Sequence, residues 1–303
     1  MKTIGFIGLG AMGNPMAKNF VKNGYNVLVY DVSENAVEAL AKEGAKRCDT
    51  VTELAESSEV IFASLPNGKI VESIMTGEAG VIASAKKGSC IIDLSSVAPE
   101  TSVRMYELAK KKEIAYLDAP VSGGVAGAGA GTLTIMVGGD REAFEKISTE
   151  LHCIGKNVFY IGKTGNGDAM KIVNNLMLGC NMAALAEALT LGEKCGLDLE
   201  TMNRIVSISS GRSYAQEAKM EKFIMPGTFE GGFAVALQHK DLALALETAK
   251  KEKMPLPMTA AASQVYGLAE AMEYGRQDIS VVTKMWEDLI LAKSEYTDKF
   301  YNR

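Results

Sequence analysis

Residues 167–175 read GDAMKIVNN, and three of them could do chemistry. Lys171, Asn174 and Asn175 interrupt an otherwise apolar helical run. Residues three and four positions apart share a helix face, so the lysine and both amides form one polar spot. A lysine in such a place can give or take a proton, and asparagines beside it can position a polar ligand without adding charge. The bland readings are a lysine that reaches solvent, amides that bond only between helices, or a solvated face.

Upstream, GFIGLGAMG carries Gly8, Gly10 and Gly13 in G-x-G-x-x-G spacing, with Ala11 and Met12 inside the turn. The turn follows the apolar run TIGFIG and opens a helical pattern. In that context the glycines allow a tight turn, close approach of a pyrophosphate and close helix packing, and the helix amides face the phosphates. Asp31 ends the next run, NVLVYD, about where the ribose-binding acid of a dinucleotide fold lies, ~20 residues on. The residues after it, VSENA, hold no Arg or Lys but a second acid, Glu34. A carboxylate there repels a 2′-phosphate, so the expected cofactor is NAD rather than NADP.

Two further strand ends carry small and polar residues: SLPNGK, with Leu65, Pro66 and Asn67, and DLSSVAP, with Ser96. Ligands of such folds lie beyond the carboxyl ends of the strands. These residues are candidates for the cofactor's ribose and nicotinamide half, or are ordinary turn chemistry. DAPVSGG places Ser122, Gly123 and Gly124 at another strand end, where a hydroxyl and bare amides could hold a carboxylate. The alternative is a tight turn. QHKDLALAL supplies Lys240 at the start of a helix, and SSGRSY sets Arg212 in a turn, either solvated or gripping a second carboxylate bidentately.

The elements that must position these residues change character along the chain. Runs at 3–8, 26–31, 59–64, 89–94, 114–119, 133–138 and 157–162 read as strands, with helical stretches between the early ones. That pattern predicts an α/β fold, an N-terminal doubly wound Rossmann-type sheet that is largely parallel. From Asn166 onward only helical periodicity remains, first as one apolar helix over 166–195, about 45 Å long at 1.5 Å per residue. Further helices are expected near 198–210, 235–252, 258–275 and 279–292. The division is therefore 1–163, the NAD-binding domain, and 164–303, an all-α C-terminal domain for substrate and oligomerisation, joined by a long interdomain helix. The glycine-rich stretch GGVAGAGAGTL (123–133) reads as a flexible loop.

Composition bounds the rest. With 303 residues, about two domains are expected. The net charge of −5 is spread evenly, with no basic patch for nucleic acid. Five scattered cysteines, none in a CxxC pair, fit reduced thiols in a cytoplasmic protein. His152 and His239 stand apart, without metal-ligand spacing. The N-terminus reads as a strand rather than a signal peptide, and no run approaches the ~20 apolar residues of a membrane helix.

GFIGLGAMGNPMA, DAPVSGG, GNGDAMKIVNN and KDLALAL, in that order, resemble the β-hydroxyacid dehydrogenases, the group of 3-hydroxyisobutyrate dehydrogenase and tartronate semialdehyde reductase. The resemblance covers essentially the whole chain. It implies a 6-phosphogluconate dehydrogenase-like C-terminal domain and NAD-dependent interconversion of a β-hydroxyacid and its semialdehyde. Lys171 is then the acid/base, Asn175 with Asn174 binds substrate, and Ser122, Gly123 and Gly124 bind its carboxylate. Lys240 lies near cofactor and substrate. The stretch from Ser209 to Leu242 points within the group to a dicarboxylic substrate, with Arg212 on its distal carboxylate. The partners implied are a small-molecule substrate and further copies of the chain, as dimer or tetramer. A non-catalytic NAD-binding module and a related imine reductase are rival readings, and in both the lysine is expected to be lost. A 6-phosphogluconate dehydrogenase is expected to be longer and to carry a second basic cluster.

Overall fold

A computed structural model describes residues 2–290 of the chain. Nine strands make one sheet: β1 (Thr3–Ile7), β2 (Asn26–Tyr30), β3 (Lys46–Arg47), β4 (Val60–Ala63), β5 (Cys90–Asp93), β6 (Ala115–Asp118), β7 (Val121–Ser122), β8 (Leu133–Gly138) and β9 (Gly155–Gly162). Their order is β3-β2-β1-β4-β5-β6-β8-β7, with β9 beside β8. The six strands from β3 to β6 run parallel. β8 turns antiparallel to β6 and β7, and β9 then runs parallel to β8.

The central strands are apolar throughout because both faces are covered. Successive side chains of a strand point to opposite faces, and here alternate residues feed two separate cores. Phe62 and Ile92 enter one, with Phe6, Phe20 and Met16. Ile61 and Ile91 enter the other, with Leu54, Met75 and Tyr116. In the first core the rings of Phe20 and Phe62 lie 4.7 Å apart between centroids.

The chain divides into two compact units, Met1–Lys171 and Ile172–Arg303. A single helix, Asn166–Lys194, begins in the first unit and continues into the second; it is called the spine helix below. By length and composition alone this helix could cross a membrane, which corrects the expectation that no run reaches that size. Packing within the second unit accounts for part of its apolar content, while Val173, Met177 and Leu191 stay exposed. Met182, Ala186 and Leu189 are buried with Leu242 and Tyr266. Gly179 sits so close to the helix Val235–Lys251 that a Cβ there would lie 2.9 Å from Leu242 Cδ2. The Tyr266 hydroxyl donates to Gly179 O at 3.1 Å.

Several boundaries differ from the sequence reading. The glycine-rich stretch after Ser122 is not a loop: Gly124–Ala130 is helical and ends at Gly131 in the left-handed conformation. Its backbone is held from outside, since buried Asn19 donates to Ala128 O at 2.7 Å. The helix expected over 198–210 stops at Val206. A short helix, Tyr214–Lys219, capped by Ser213 and continued by a π-helical turn, follows where none was expected. The helix near 279 opens with a 3-10 turn, Ile279–Val281, and continues to 290. Positions 291 and 292 of that expectation lie outside the described residues.

One buried ion pair organises the second unit. Asp278 is fully buried and accepts from Lys219 Nζ at 2.6 Å, Phe233 N at 2.8 Å and the Ser280 hydroxyl at 2.6 Å. Removing one partner of such a pair strands the other charge away from water. Lys219→Met should therefore cost about 3–5 kcal/mol, read as a shift of the urea unfolding midpoint. A change below about 1 kcal/mol would show that Asp278 is satisfied by its neutral donors alone.

Candidate active site

The glycine turn between β1 and the first helix, Gly13–Lys22, is built by collisions that only glycine avoids. Gly8 has φ +89°, and a side chain at Gly13 would strike Gly8 O. Gly10 differs from both: a Cβ there would meet nothing within 4 Å. The fold leaves that space open, as a cradle for a pyrophosphate requires. The first helix has no side-chain cap and no acid in its first turn, so its leading amides are available to an anion. The turn thus fits the dinucleotide expected from its sequence, with Ala11 and Met12 carrying the chain from Gly10 to the helix.

Asp31 is tied to this turn. Leu9 N donates to Asp31 Oδ2 at 2.6 Å and Ser33 N to Asp31 Oδ1 at 2.7 Å. Each carboxylate oxygen keeps a further lone pair for a ribose hydroxyl. The neighbouring cleft, about 310 Å³, is lined by Tyr30, Asp31, Val32, Glu34, Arg47 and Asp49 among others. Arg47, on β3, is a residue that the sequence reading missed. Arg47 is sixteen residues beyond Asp31 in the chain, and the parallel pairing of β2 with β3 brings it in.

The next two strand ends are joined by hydrogen bonds. Tyr116 OH donates to Asp93 Oδ2 at 3.0 Å, and Ser95 N donates to Asp93 Oδ1 at 2.9 Å. Leu65 N in turn donates to Ser95 Oγ at 2.9 Å. Asp93 therefore fixes the Leu65–Pro66 loop, and neighbouring Ser96 emerges half-buried from the same turn. Asn67 has a structural task of its own. Its side chain accepts from Ile70 N at 3.1 Å and caps the helix Gly68–Met75.

Ser122 ends β7, half-buried, and Gly123 and Gly124 are exposed with φ +133° and +65°. No L side chain adopts those angles without strain, so the bare amides of this turn are a requirement of the backbone. Behind it, Asp118 ends β6 with its side chain fully buried. Asp118 Oδ1 accepts from Gly165 N at 2.8 Å and Oδ2 from Asp168 N at 3.1 Å. The carboxylate thereby caps the spine helix three residues before Lys171. Gly167 lets the helix start lie against the sheet: a Cβ there would fall 2.8 Å from Asp118 O. Lys171 itself is half-buried and closes the first unit.

In the second unit the two asparagines form a chain. Asn174 donates to Asn175 Oδ1 at 2.9 Å, and buried Asn175 donates to Asp241 Oδ2. Lys240 Nζ lies 3.2 Å from Asp241 Oδ1. Gln238 adds a bond from its amide to Asn175 O at 2.9 Å. The motifs GDAMKIVNN and QHKDLALAL thus meet through Asp241, the residue of the second motif that sequence reasoning left without a role. Arg212 lies exposed just before the helix Tyr214–Lys219. Among the described residues, no group of three His, Cys, Asp or Glu side chains could hold a metal ion.

Buried Asp93, Asp118 and Asp168 give the strand ends an unusual electrostatic character. Burial pushes all three up from the usual carboxylate range, and hydrogen bonds from Ser95 to Asp93 and from backbone amides to Asp118 pull part of the way back. Asp168 moves furthest, through burial first and the charge of Asp118 second. Neither of its oxygens completes a well-formed hydrogen bond.

The NAD binding domain of 6-phosphogluconate dehydrogenase matches residues 3–162, and the NAD-binding region of NADP-dependent 3-hydroxyisobutyrate dehydrogenase matches residues 165–286. The chain is 57% identical over 286 residues to 2-(hydroxymethyl)glutarate dehydrogenase of Eubacterium barkeri, covering 94% of this chain and 95% of that one. It is 40% identical to 3-hydroxyisobutyrate dehydrogenase of Pseudomonas aeruginosa, over 94% and 99% of the two chains. Among solved structures, Mycobacterium tuberculosis 3-hydroxyisobutyrate dehydrogenase with L-serine superposes with a TM-score of 0.88 at 31% identity, over 94% and 99%.

The elevated pKa of Asp168 has a measurable sign. The folded chain keeps a proton that the unfolded chain releases above about pH 3.9, so stability is lost as pH rises from there toward the raised folded value. Unfolding free energies of wild type and Asp168→Asn, measured from pH 4 to 8, should diverge, with the wild type falling relative to the variant. Parallel curves would remove the elevated carboxyl from the account.

Proposed function

This chain belongs to the 3-hydroxyisobutyrate dehydrogenase family, and we propose that it is the member that interconverts 2-(hydroxymethyl)glutarate and 2-formylglutarate. Its reaction class is NAD-dependent dehydrogenation of a β-hydroxyacid to its semialdehyde. The observation that carries the narrower substrate is the likeness to the Eubacterium barkeri enzyme along nearly the whole of both chains. Arg212 is the residue that would distinguish a dicarboxylic substrate.

Gly8, Gly10, Ala11, Met12 and Gly13 would hold the cofactor's pyrophosphate, and Asp31 its adenosine ribose. Leu65, Pro66, Asn67 and Ser96 would line the remainder. Bound NAD supplies the hydride acceptor in oxidation and, as NADH, the donor in reduction. The chain's own residues supply the rest. Ser122 and the amides of Gly123 and Gly124 hold the carboxylate next to the reacting carbon, a task suited to a hydroxyl beside bare amides. Lys171 accepts the hydroxyl proton during oxidation and returns one to the carbonyl oxygen during reduction. Asp118 acts through the helix start, holding the turn that precedes Lys171. Asn174, Asn175 and Lys240 are assigned to substrate and cofactor binding, with Asp241 setting the orientation of Asn175. The serial bonds through Asp241 support that assignment.

The reading predicts that Lys171→Ala lowers kcat at least ~100-fold with NADH binding retained, measured by steady-state kinetics and nucleotide fluorescence. Turnover near wild type would remove Lys171 from its role. It also predicts that Arg212→Ala raises KM for 2-formylglutarate about tenfold or more, the effect of losing a charged hydrogen bond, and leaves methylmalonate semialdehyde turnover much less changed. Equal effects on both, or none on either, would remove Arg212 from the distal carboxylate.

A further inference from the structure

The cleft beside Asp31 holds a positive charge that a strict NAD site does not need. Arg47 lines it together with Asp31, Glu34 and Asp49. Its guanidinium is engaged on two sides: Nε lies 2.8 Å from Asp49 Oδ1, and Nη2 lies 3.4 Å from Glu34 Oε1. Asp49, ahead of Glu34, raises its pKa further. Three carboxylates and one base line the cleft, two of those carboxylates are paired with the base, and the cleft stays negative although an arginine stands in it.

Arginine is the side chain best shaped to grip a phosphate, with planar donors that match its oxygens in pairs. A phosphate on the 2′-hydroxyl of the adenosine ribose would arrive beside Asp31, in the cleft that Arg47 lines. We propose that Arg47 is a specificity-determining residue: a guanidinium able to bind a 2′-phosphate, kept from doing so by Glu34 and Asp49. Discrimination against NADP then rests on two devices. Asp31 repels the added phosphate, and the acids on either side of Arg47 occupy the one group that would attract it. The inference rests on reading this cleft as the adenosine end of the NAD site, and it concerns the choice of nucleotide rather than the substrate.

Two nucleotide fragments test it without turnover. 5′-AMP and 2′,5′-ADP differ only by the 2′-phosphate, and their binding is measured by calorimetry on the whole protein. Wild type should bind 5′-AMP at least tenfold more tightly than 2′,5′-ADP. Glu34→Gln combined with Asp49→Asn, which frees Arg47 from both partners, should improve 2′,5′-ADP binding relative to 5′-AMP several-fold or more. Adding Arg47→Leu to that pair should abolish the gain. A gain that survives Arg47→Leu, or no gain at all, overturns the proposal. If the wild type fails to bind 5′-AMP, both the proposal and the reading of the cleft fall. Thermal melts establish that each variant is folded. Should the double variant melt early, Glu34→Gln alone, at an exposed position, is compared with and without Arg47→Leu; a several-fold gain dependent on Arg47 is expected, and its absence counts against the proposal.

Discussion

The first unit depends on where one carboxylate sits. Asp118 ends a central strand, is removed from water, and accepts the amides that open the spine helix. A helix start carries partial positive charge and amides without partners inside the helix, and a buried carboxylate is costly unless it finds such donors. Each solves the other's problem, so strand end and helix start are fixed together. Four residues after Asp118 come Ser122 and the glycine turn; three residues after Asp168 comes Lys171. The groups assigned to the substrate's carboxylate and to its proton therefore both descend from one anchored junction.

The same logic recurs with different chemistry at Asp93, which holds the Leu65 loop through Ser95, and at Asp241, which orients Asn175. In each case an acid that does not itself meet the reaction directs a neighbour assigned to it. Placing several acids out of water is unfavourable, as the displaced pKa values of Asp93, Asp118 and Asp168 record. Asp168 in particular finds no full set of donors, and stability is given up there.

Much of this was legible in the sequence because the strongest signals are local. The G-x-G-x-x-G turn, the apolar strands and the long helix each announce themselves within a short window, through spacing or periodicity. Asp31 was legible by its distance from the turn. What escaped was set by contacts distant in sequence. Arg47 enters the adenosine cleft only through the pairing of β2 with β3. The bond from Asn175 to Asp241 spans two motifs that no spacing rule connects. The helix Gly124–Ala130 defied its composition because Asn19, more than a hundred residues earlier, holds its backbone. The membrane-length apolar content of the spine helix escaped because Lys171, Asn174 and Asn175 break the uninterrupted apolar run, while the average over the helix stays high.

That glycine-rich helix carries a consequence for motion. Gly127 and Gly129 stand inside it, and each glycine weakens a helix by about 1 kcal/mol relative to alanine. A seven-residue helix has little propagation to offset this. Local opening free energies vary across a protein, and segments with weak intrinsic order lie at the low end. The backbone that presents Gly123 and Gly124 thus has little intrinsic helical order of its own and leans on contacts such as that from Asn19. A bound carboxylate would have to supply the order that the sequence withholds, so substrate affinity and local protection from hydrogen exchange are coupled at this turn.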